Sequence, residues 1–212
     1  MLSPVMNTFK VIRMAKRPAQ HSAEAFRQDW NEAQLNVSPP PARTVLSVAT
    51  GEVALGGQTP PFDGMAALYY QTLEEAHSAG ASMQDEIVQV CDEHLMSQKP
   101  NSQTRLKIIR TVYRRRDLTH EQFKDYWLKN HSRLEQRVIA ESPVQRIVAT
   151  FAIPQAGKDP AFDGMVELYF ASVEDIRSMF AGPIPAMMRK DEENFVQMDA
   201  PAVRLVAEEF IA

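Results

Sequence analysis

Cysteine is almost missing from the 212-residue sequence: Cys91 stands alone, so no disulfide framework can staple the chain. A chain of this length needs none, because it buries roughly 70% of the surface its unfolded form exposes. No apolar run approaches the roughly 20 residues of a membrane-spanning helix, which argues against a membrane partner. Excess positive charge is absent too. The 23 Lys and Arg against 27 Asp and Glu leave a net charge of −4, a poor match for phosphate neutralisation, so nucleic acid is not an expected partner. Also lacking are the glycine fingerprint of dinucleotide sites, a phosphate loop with its lysine, and a serine nucleophile elbow. A nucleotide cofactor is therefore not expected. The start, Met1 to Thr8, has neither a basic nor an apolar segment of the secretory kind, and the cytoplasm is the expected compartment.

What the sequence does contain is a copy of itself. Phe9-Lys10-Val11-Ile12-Arg13 lies over Leu106-Lys107-Ile108-Ile109-Arg110 at an offset of 97, and the register carries on through Phe26 over Phe123 and Trp30 over Trp127. Further along, at an offset of 100, Phe62-Asp63-Gly64-Met65 lies over Phe162-Asp163-Gly164-Met165. The only two tryptophans of the chain coincide. Two units of about 100 residues follow, 1–103 and 104–212.

Each unit reads β-α-β-β-α-β. Short β-branched runs at 11–15 and 108–113 suit strands. In the second unit Thr119 and Gln122 form a capping box, after which Phe123, Trp127, Leu134 and Val138 recur on one helical face. Strands are expected at 144–153, 162–170 and 203–207, with a helical region over 173–195 interrupted at Gly182-Pro183 and Pro185. In the first unit a strand is expected over 44–53 and a helix from 73 to about 95, leaving the last strand near 102–106. The Pro39-Pro40-Pro41 run and the stretch with Gly56-Gly57 read as connections.

The segment Arg114-Arg115-Arg116-Asp117-Leu118-Thr119-His120-Glu121-Gln122-Phe123-Lys124-Asp125-Tyr126-Trp127, ending in His131, resembles the EthD family. So do the runs from Asp163 to Phe170 and from Asp191 to Phe195. The resemblance covers the second unit, and the first looks like a degenerate copy. It implies an α+β fold in which two tandem ferredoxin-like units pair into a pseudo-dimeric α+β barrel, so that one chain builds what single-unit relatives build as a dimer. A homodimer of the whole chain is the further assembly this allows. The family takes its name from oxidative ether degradation, and relatives occur in polyketide pathways.

Two titratable residues stand out. His131 falls four residues after Trp127 and eight after Phe123, on the apolar helical stripe. An imidazole held there can move a proton near neutral pH, or can be an inert core histidine bonded to a carbonyl. Glu167 shares one side of its strand with Asp163, Met165 and Tyr169, where a partly apolar setting would suit a general acid or base; the alternative is an ion-paired glutamate. Across the repeat His131 faces Gln34 and Glu167 faces Ala67, whereas Asp63 and Asp163 are both present as turn residues. This is the pattern that one working and one silenced pocket would produce, and that neutral drift would produce as well.

The leading expectation is an enzyme without a tightly bound cofactor, performing dehydration, cyclisation or isomerisation on an aromatic, polyketide-like or otherwise hydrophobic small molecule. His131 would be its acid or base, Glu167 or Asp163 the partner, and Trp127, Tyr126, Tyr169 and Met165 the substrate contacts. Alternatives are an oxidoreductase, either a monooxygenase or a haem protein, an auxiliary protein of an oxidative pathway, and a non-catalytic ligand-binding module. No metal site is expected: the pair His131 and Glu135 reads as an ordinary helix pair.

Overall fold

Strand alternation sorts the side chains of this molecule into an inner and an outer set, and the helices follow from that sorting. The computed structural model describes residues 9–51, 61–81, 83 and 87–211. The first half runs β1 (Phe9–Ala15), α1 (Ala23–Leu35), β2 (Arg43–Ala49), β3 (Gly64–Tyr70), α2 (Leu73–Ala81) and β4 (Ile87–Gln98). The second runs β5 (Leu106–Val112), α3 (His120–Tyr126), a π turn (Trp127–His131), α4 (Ser132–Glu141), β6 (Arg146–Ala152), β7 (Gly164–Phe170), α5 (Val173–Ala181), α6 (Ile184–Glu192) and β8 (Arg204–Ile211).

The eight strands close into one antiparallel barrel, in the order β1-β3-β2-β8-β5-β7-β6-β4. The halves meet twice, β2 against β8 and β4 against β6, so neither half leaves a free sheet edge. Inward-facing Ile12, Met14, Met65, Ile109, Met165 and Leu205 form the barrel core. Outward-facing strand residues pack beneath the helices, in the second half as Ile108, Ile147 and Val206 against Ile176 and Met179. Among the described residues no helix is long and apolar enough to cross a membrane.

Equivalent positions of the two halves carry equivalent contacts. A Cβ added at Gly64 would come within 3.0 Å of Phe26 and 3.2 Å of Trp30, and one at Gly164 within 2.9 Å of both Phe123 and Trp127. Each glycine is thus the flat spot on which the helical aromatic pair rests, and this close approach explains the repeated Asp-Gly better than a turn conformation does. The aspartates beside them match as well: Asp63 Oδ2 accepts from the Arg17 amide at 2.9 Å and Asp163 Oδ2 from the Arg114 amide at 3.0 Å.

One segment corrects the sequence reading. The residues expected to finish a long helix, 87–95, form β4, and 102–106 contributes no separate strand. Helix α2 stops at Ala81, after which Ile87, Val88 and Val90 favour a pleated strand, and β4 fills the gap between β1 and β6. The stretch with Gly56 and Gly57 and the start at 1–8 lie outside the described residues.

The barrel interior also holds a charge network. Lys10 Nζ donates to Glu93 at 2.6 Å, and Tyr69 donates to the same carboxylate at 2.8 Å. Lys107 Nζ donates to Glu209 at 2.9 Å, where Tyr169 donates at 2.5 Å. These two triads occupy matching strand positions. Between them lies Glu167, which has no counterpart because Ala67 takes the equivalent place on β3. Its carboxylate accepts from Lys107 at 2.5 Å and from Lys10 at 3.4 Å, and so links one half to the other. Burial opposes its ionisation, yet the charges of Lys107 and Lys10 prevail and hold its pKa at about 2.

Replacing Glu167 by alanine, the residue of the first half, would leave two fully buried ammonium groups short of a partner. Each would keep one carboxylate, Glu93 or Glu209, so the expected loss is about 2–3 kcal/mol, that of charge-assisted hydrogen bonds lost in the interior. A urea melt of Glu167→Ala measures it, and a loss below about 1 kcal/mol would show that water or relaxation already compensates the lysines.

Candidate functional site

The helix that carries the site starts on its capping box. The Gln122 amide donates to Thr119 Oγ1 at 3.1 Å and the Thr119 amide to Gln122 Oε1 at 2.8 Å. Seven residues later the helix widens into the π turn, and Ser132 Oγ donates to the Leu128 carbonyl at 2.7 Å as regular α-helix resumes. Such single wide turns re-aim side chains that a regular helix would place elsewhere. Here the turn ends on His131, buried at 3% exposure against Phe195 and Trp127, with ring centroids 4.9 and 5.8 Å away.

The partner of His131 comes from the end of α6. His131 Nδ1 lies 2.7 Å from Asp191 Oδ2, while Tyr126 donates to Asp191 Oδ1 at 3.1 Å and Asn194 Nδ2 reaches the same oxygen at 3.5 Å. A carboxylate facing Nδ1 assigns the proton to that nitrogen, leaving the Nε2 lone pair available. Burial lowers the imidazole pKa, although Asp191 works against it, so the ring is neutral at pH 7.

His131 lines a cavity of about 630 Å³ between the outer face of the second-half sheet and helices α4 to α6. Its walls are mostly apolar: Ile108, Val166 and Leu168 on the sheet side, Val138, Ile176 and Met179 on the helix side. Four arginines, Arg110, Arg177, Arg189 and Arg204, line it as well, with Glu135 and Glu192 the acidic members. Arg110 Nη1 donates to Glu192 at 2.6 Å.

Glu135 takes an unusual position. Its Oε1 accepts from Trp127 Nε1 at 3.1 Å, and its Oε2 is buried with no partner among the described residues. Burial pushes its pKa up to about 7, with the indole hydrogen bond opposing. Near neutral pH it is therefore a half-protonated carboxyl on the wall of the same cavity as His131.

The expected residues divide between places. His131 and Trp127 line the cavity; Tyr126 stands behind it, holding Asp191 and stacking on Phe195 at 5.0 Å. Glu167, Tyr169 and Met165 do not face it. They point into the barrel, because strand alternation sends them opposite to the outward Val166 and Leu168. Asp163 accepts from the Arg114 amide, with His120 Nδ1 at 3.4 Å from its other oxygen, and repeats the role of Asp63. The pairing of His131 with Glu167 or Asp163 is thus corrected to His131 with Asp191. Nothing in the run from Asp191 to Phe195 marks that the end of α6 returns to the π turn. Glu135, which spacing alone reads as an ordinary helix-pair residue, lines the cavity, as do Arg189 and Arg204, which no local pattern marks because they lie on elements far apart in sequence.

Residues 115–199 match the family model of the EthD domain. Among curated proteins no sequence matches. Several solved structures share the fold at low identity. An anthrone oxidase-like protein is 5% identical with a TM-score of 0.66, the match covering 99% of this chain and 94% of the other. A protein of Fusobacterium nucleatum provisionally named a monooxygenase is 8% identical with a TM-score of 0.57, covering 99% and 95%. Chlorite dismutase from Candidatus Nitrospira defluvii is 10% identical with a TM-score of 0.54, covering 95% and 91%.

The expectation of no cofactor is overturned at this point. Chlorite dismutases are haem-binding proteins with this fold, and missing nucleotide motifs say nothing about haem. The residues of the cavity fit such a group. An imidazole is one of the side chains that would hold haem iron, and a carboxylate hydrogen-bonded to its other nitrogen is the usual support, which is how Asp191 stands to His131. Apolar walls suit the macrocycle and arginines its carboxylates. By contrast, no group of three or more His, Cys, Asp or Glu side chains among the described residues is arranged to hold a bare metal ion.

The raised Glu135 carboxyl makes stability depend on pH. In the unfolded chain it ionises near its ordinary value, whereas in the folded chain it stays protonated up to about 7. Folding therefore binds the extra proton between those values, and the associated stability is lost as pH rises through 7. Glu135→Gln cannot ionise and should be the more stable protein at pH 8.5, by about 2–3 kcal/mol. Urea melts of both proteins at pH 5.5 and 8.5 check this; parallel behaviour would mean that Glu135 is solvated.

Proposed function

We propose that this chain is an oxidoreductase acting on a largely apolar small molecule in the second-half cavity, with His131 Nε2 at the reacting centre. One observation carries the reading: an imidazole whose Nδ1 is held by Asp191 at 2.7 Å stands in the wall of a 630 Å³, mainly apolar cavity. The names of the structural neighbours, anthrone oxidase-like, monooxygenase and chlorite dismutase, support oxidation over dehydration, cyclisation or isomerisation. We also read the chain as two tandem ferredoxin-like units, 1–103 and 104–212, of which the second works.

For a substrate with an acidified methylene the balance is R2CH2 + O2 → R2CO + H2O, with dioxygen as the oxidant. His131 Nε2 takes the first C–H proton while Asp191 stabilises the imidazolium that forms. The electron pair left on carbon goes to dioxygen as the C–O bond forms. Loss of the second C–H proton, with cleavage of the O–O bond, leaves the ketone and water. The apolar walls exclude bulk water from the electron-rich carbon, and Glu135 can return a proton near pH 7.

The carboxylate-backed imidazole favours a second form of the same function. Haem held in the cavity would take the Nε2 lone pair as its iron ligand, with Asp191 fixing the ring, and would supply one-electron and dioxygen chemistry when bound.

Both forms depend on one nitrogen. Dioxygen uptake with 1,8-dihydroxyanthrone and haemin titration followed at the Soret band test them together. Wild type is expected to give enzyme-dependent uptake or a saturable Soret shift at one equivalent. His131→Gln, the first-half residue, is expected to remove whichever is seen, lowering uptake by about 100-fold or more. A wild-type protein that shows neither signal, or a variant that keeps it, overturns the proposal.

A further inference from the structure

Arg110 and Arg204 are register partners on β5 and β8, so their Cβ atoms stand side by side on the outer face of the sheet. Like charges directly opposite each other weaken a sheet. The equivalent pair in the first half is Arg13 opposite Val88, so the second half has an arginine where the first has a neutral residue. Arg189, from α6, lines the cavity beside them, and burial, with the charges of Arg110 and Arg189, pushes the Arg204 pKa down against the opposing charge of Glu192.

The negative charge nearby does not balance this cluster. Glu192 is engaged with Arg110, and Glu135, also in the lining, is only partly ionised near pH 7. The side chains of Arg189 and Arg204 make no hydrogen bond or salt bridge among the described residues, and Arg110 Nε is buried without a partner. Three guanidinium groups thus converge on the wall of a mainly apolar cavity with one carboxylate between them.

We propose that Arg204 and Arg189, with Arg110 beside them, form a carboxylate-binding subsite that anchors the anionic end of an otherwise apolar ligand in the cavity that holds His131. The inference rests on the reading of that cavity as a ligand site, and adds the substrate class: an aromatic or polycyclic acid. The apolar body lies along Ile108, Val166 and Leu168, while the carboxylate accepts charge-assisted hydrogen bonds from guanidinium forks and relieves the repulsion of the cross-strand pair. The same carboxylate chemistry would take the propionates of haem.

Binding of 2-naphthoate and of methyl 2-naphthoate, read by quenching of Trp127 fluorescence, tests the subsite without any turnover. The Trp30→Phe background keeps the signal specific. The acid is expected to bind at least about tenfold tighter than its ester, and added salt should weaken the acid alone. Arg204→Val, which copies Val88, should erase the preference and leave ester binding in place, and its melting midpoint should not fall, because a like-charge pair has been removed. Arg189→Met provides the same readout from the helix side. A parallel titration with haemin and its dimethyl ester separates the sources: preference for free haemin only assigns the subsite to propionates, and preference for naphthoate assigns it to a substrate acid. Equal affinity for acids and esters, failure of all four probes to bind, or a preference that survives in both variants would overturn the proposal. Acid preference in a protein that neither oxidises the anthrone nor shows a Soret shift would leave the subsite standing and remove the oxidoreductase.

Discussion

Closure of eight strands into one barrel is the constraint from which the rest of this structure follows. A closed sheet has only an inside and an outside, and each strand residue is committed to one of them by its parity. On β7 that rule separates Glu167, sent inward to two lysines, from its neighbours Val166 and Leu168, sent outward to the cavity. On β5 it sends Lys107 and Ile109 in and Arg110 out. The inner face thereby joins the halves, and the outer face is free to carry chemistry under a cover of helices.

The halves differ at the points where function is concentrated. Gln34 stands where the second half has His131, and Val88 where it has Arg204. In the first half Gln34 is occupied with its own surroundings, accepting from Arg13 at 2.8 Å and donating to the Trp30 carbonyl at 2.9 Å. The shared residues are those of the scaffold: the aromatic pairs on Gly64 and Gly164, and the aspartates that accept from Arg17 and Arg114. Ala67 opposite Glu167 has a different reason, since a single carboxylate on the line between two lysines serves both halves.

Much of this was legible beforehand. The repeat placed Trp30 and Trp127 correctly, the capping box located the start of α3, and the helical stripe marked His131 as a buried residue. What escaped was long-range. Whether residues 87–95 are helix or strand is decided by the gap between β1 and β6, which no local pattern reveals. Parity put Glu167 and Tyr169 on a common side, but not which side faced the barrel. Asp191 meets His131 across 60 residues, at a turn whose π geometry has no sequence mark here.

The central claim is that Asp191 fixes the His131 proton on Nδ1 and presents a bare Nε2 lone pair to the cavity. Long-range proton–nitrogen NMR of the imidazole, recorded at pH 7, reports each ring nitrogen separately. A protonated Nδ1 and an unprotonated Nε2, with the pattern lost in Asp191→Asn, is the predicted result. A proton on Nε2, or a ring fully charged at that pH, would contradict the account.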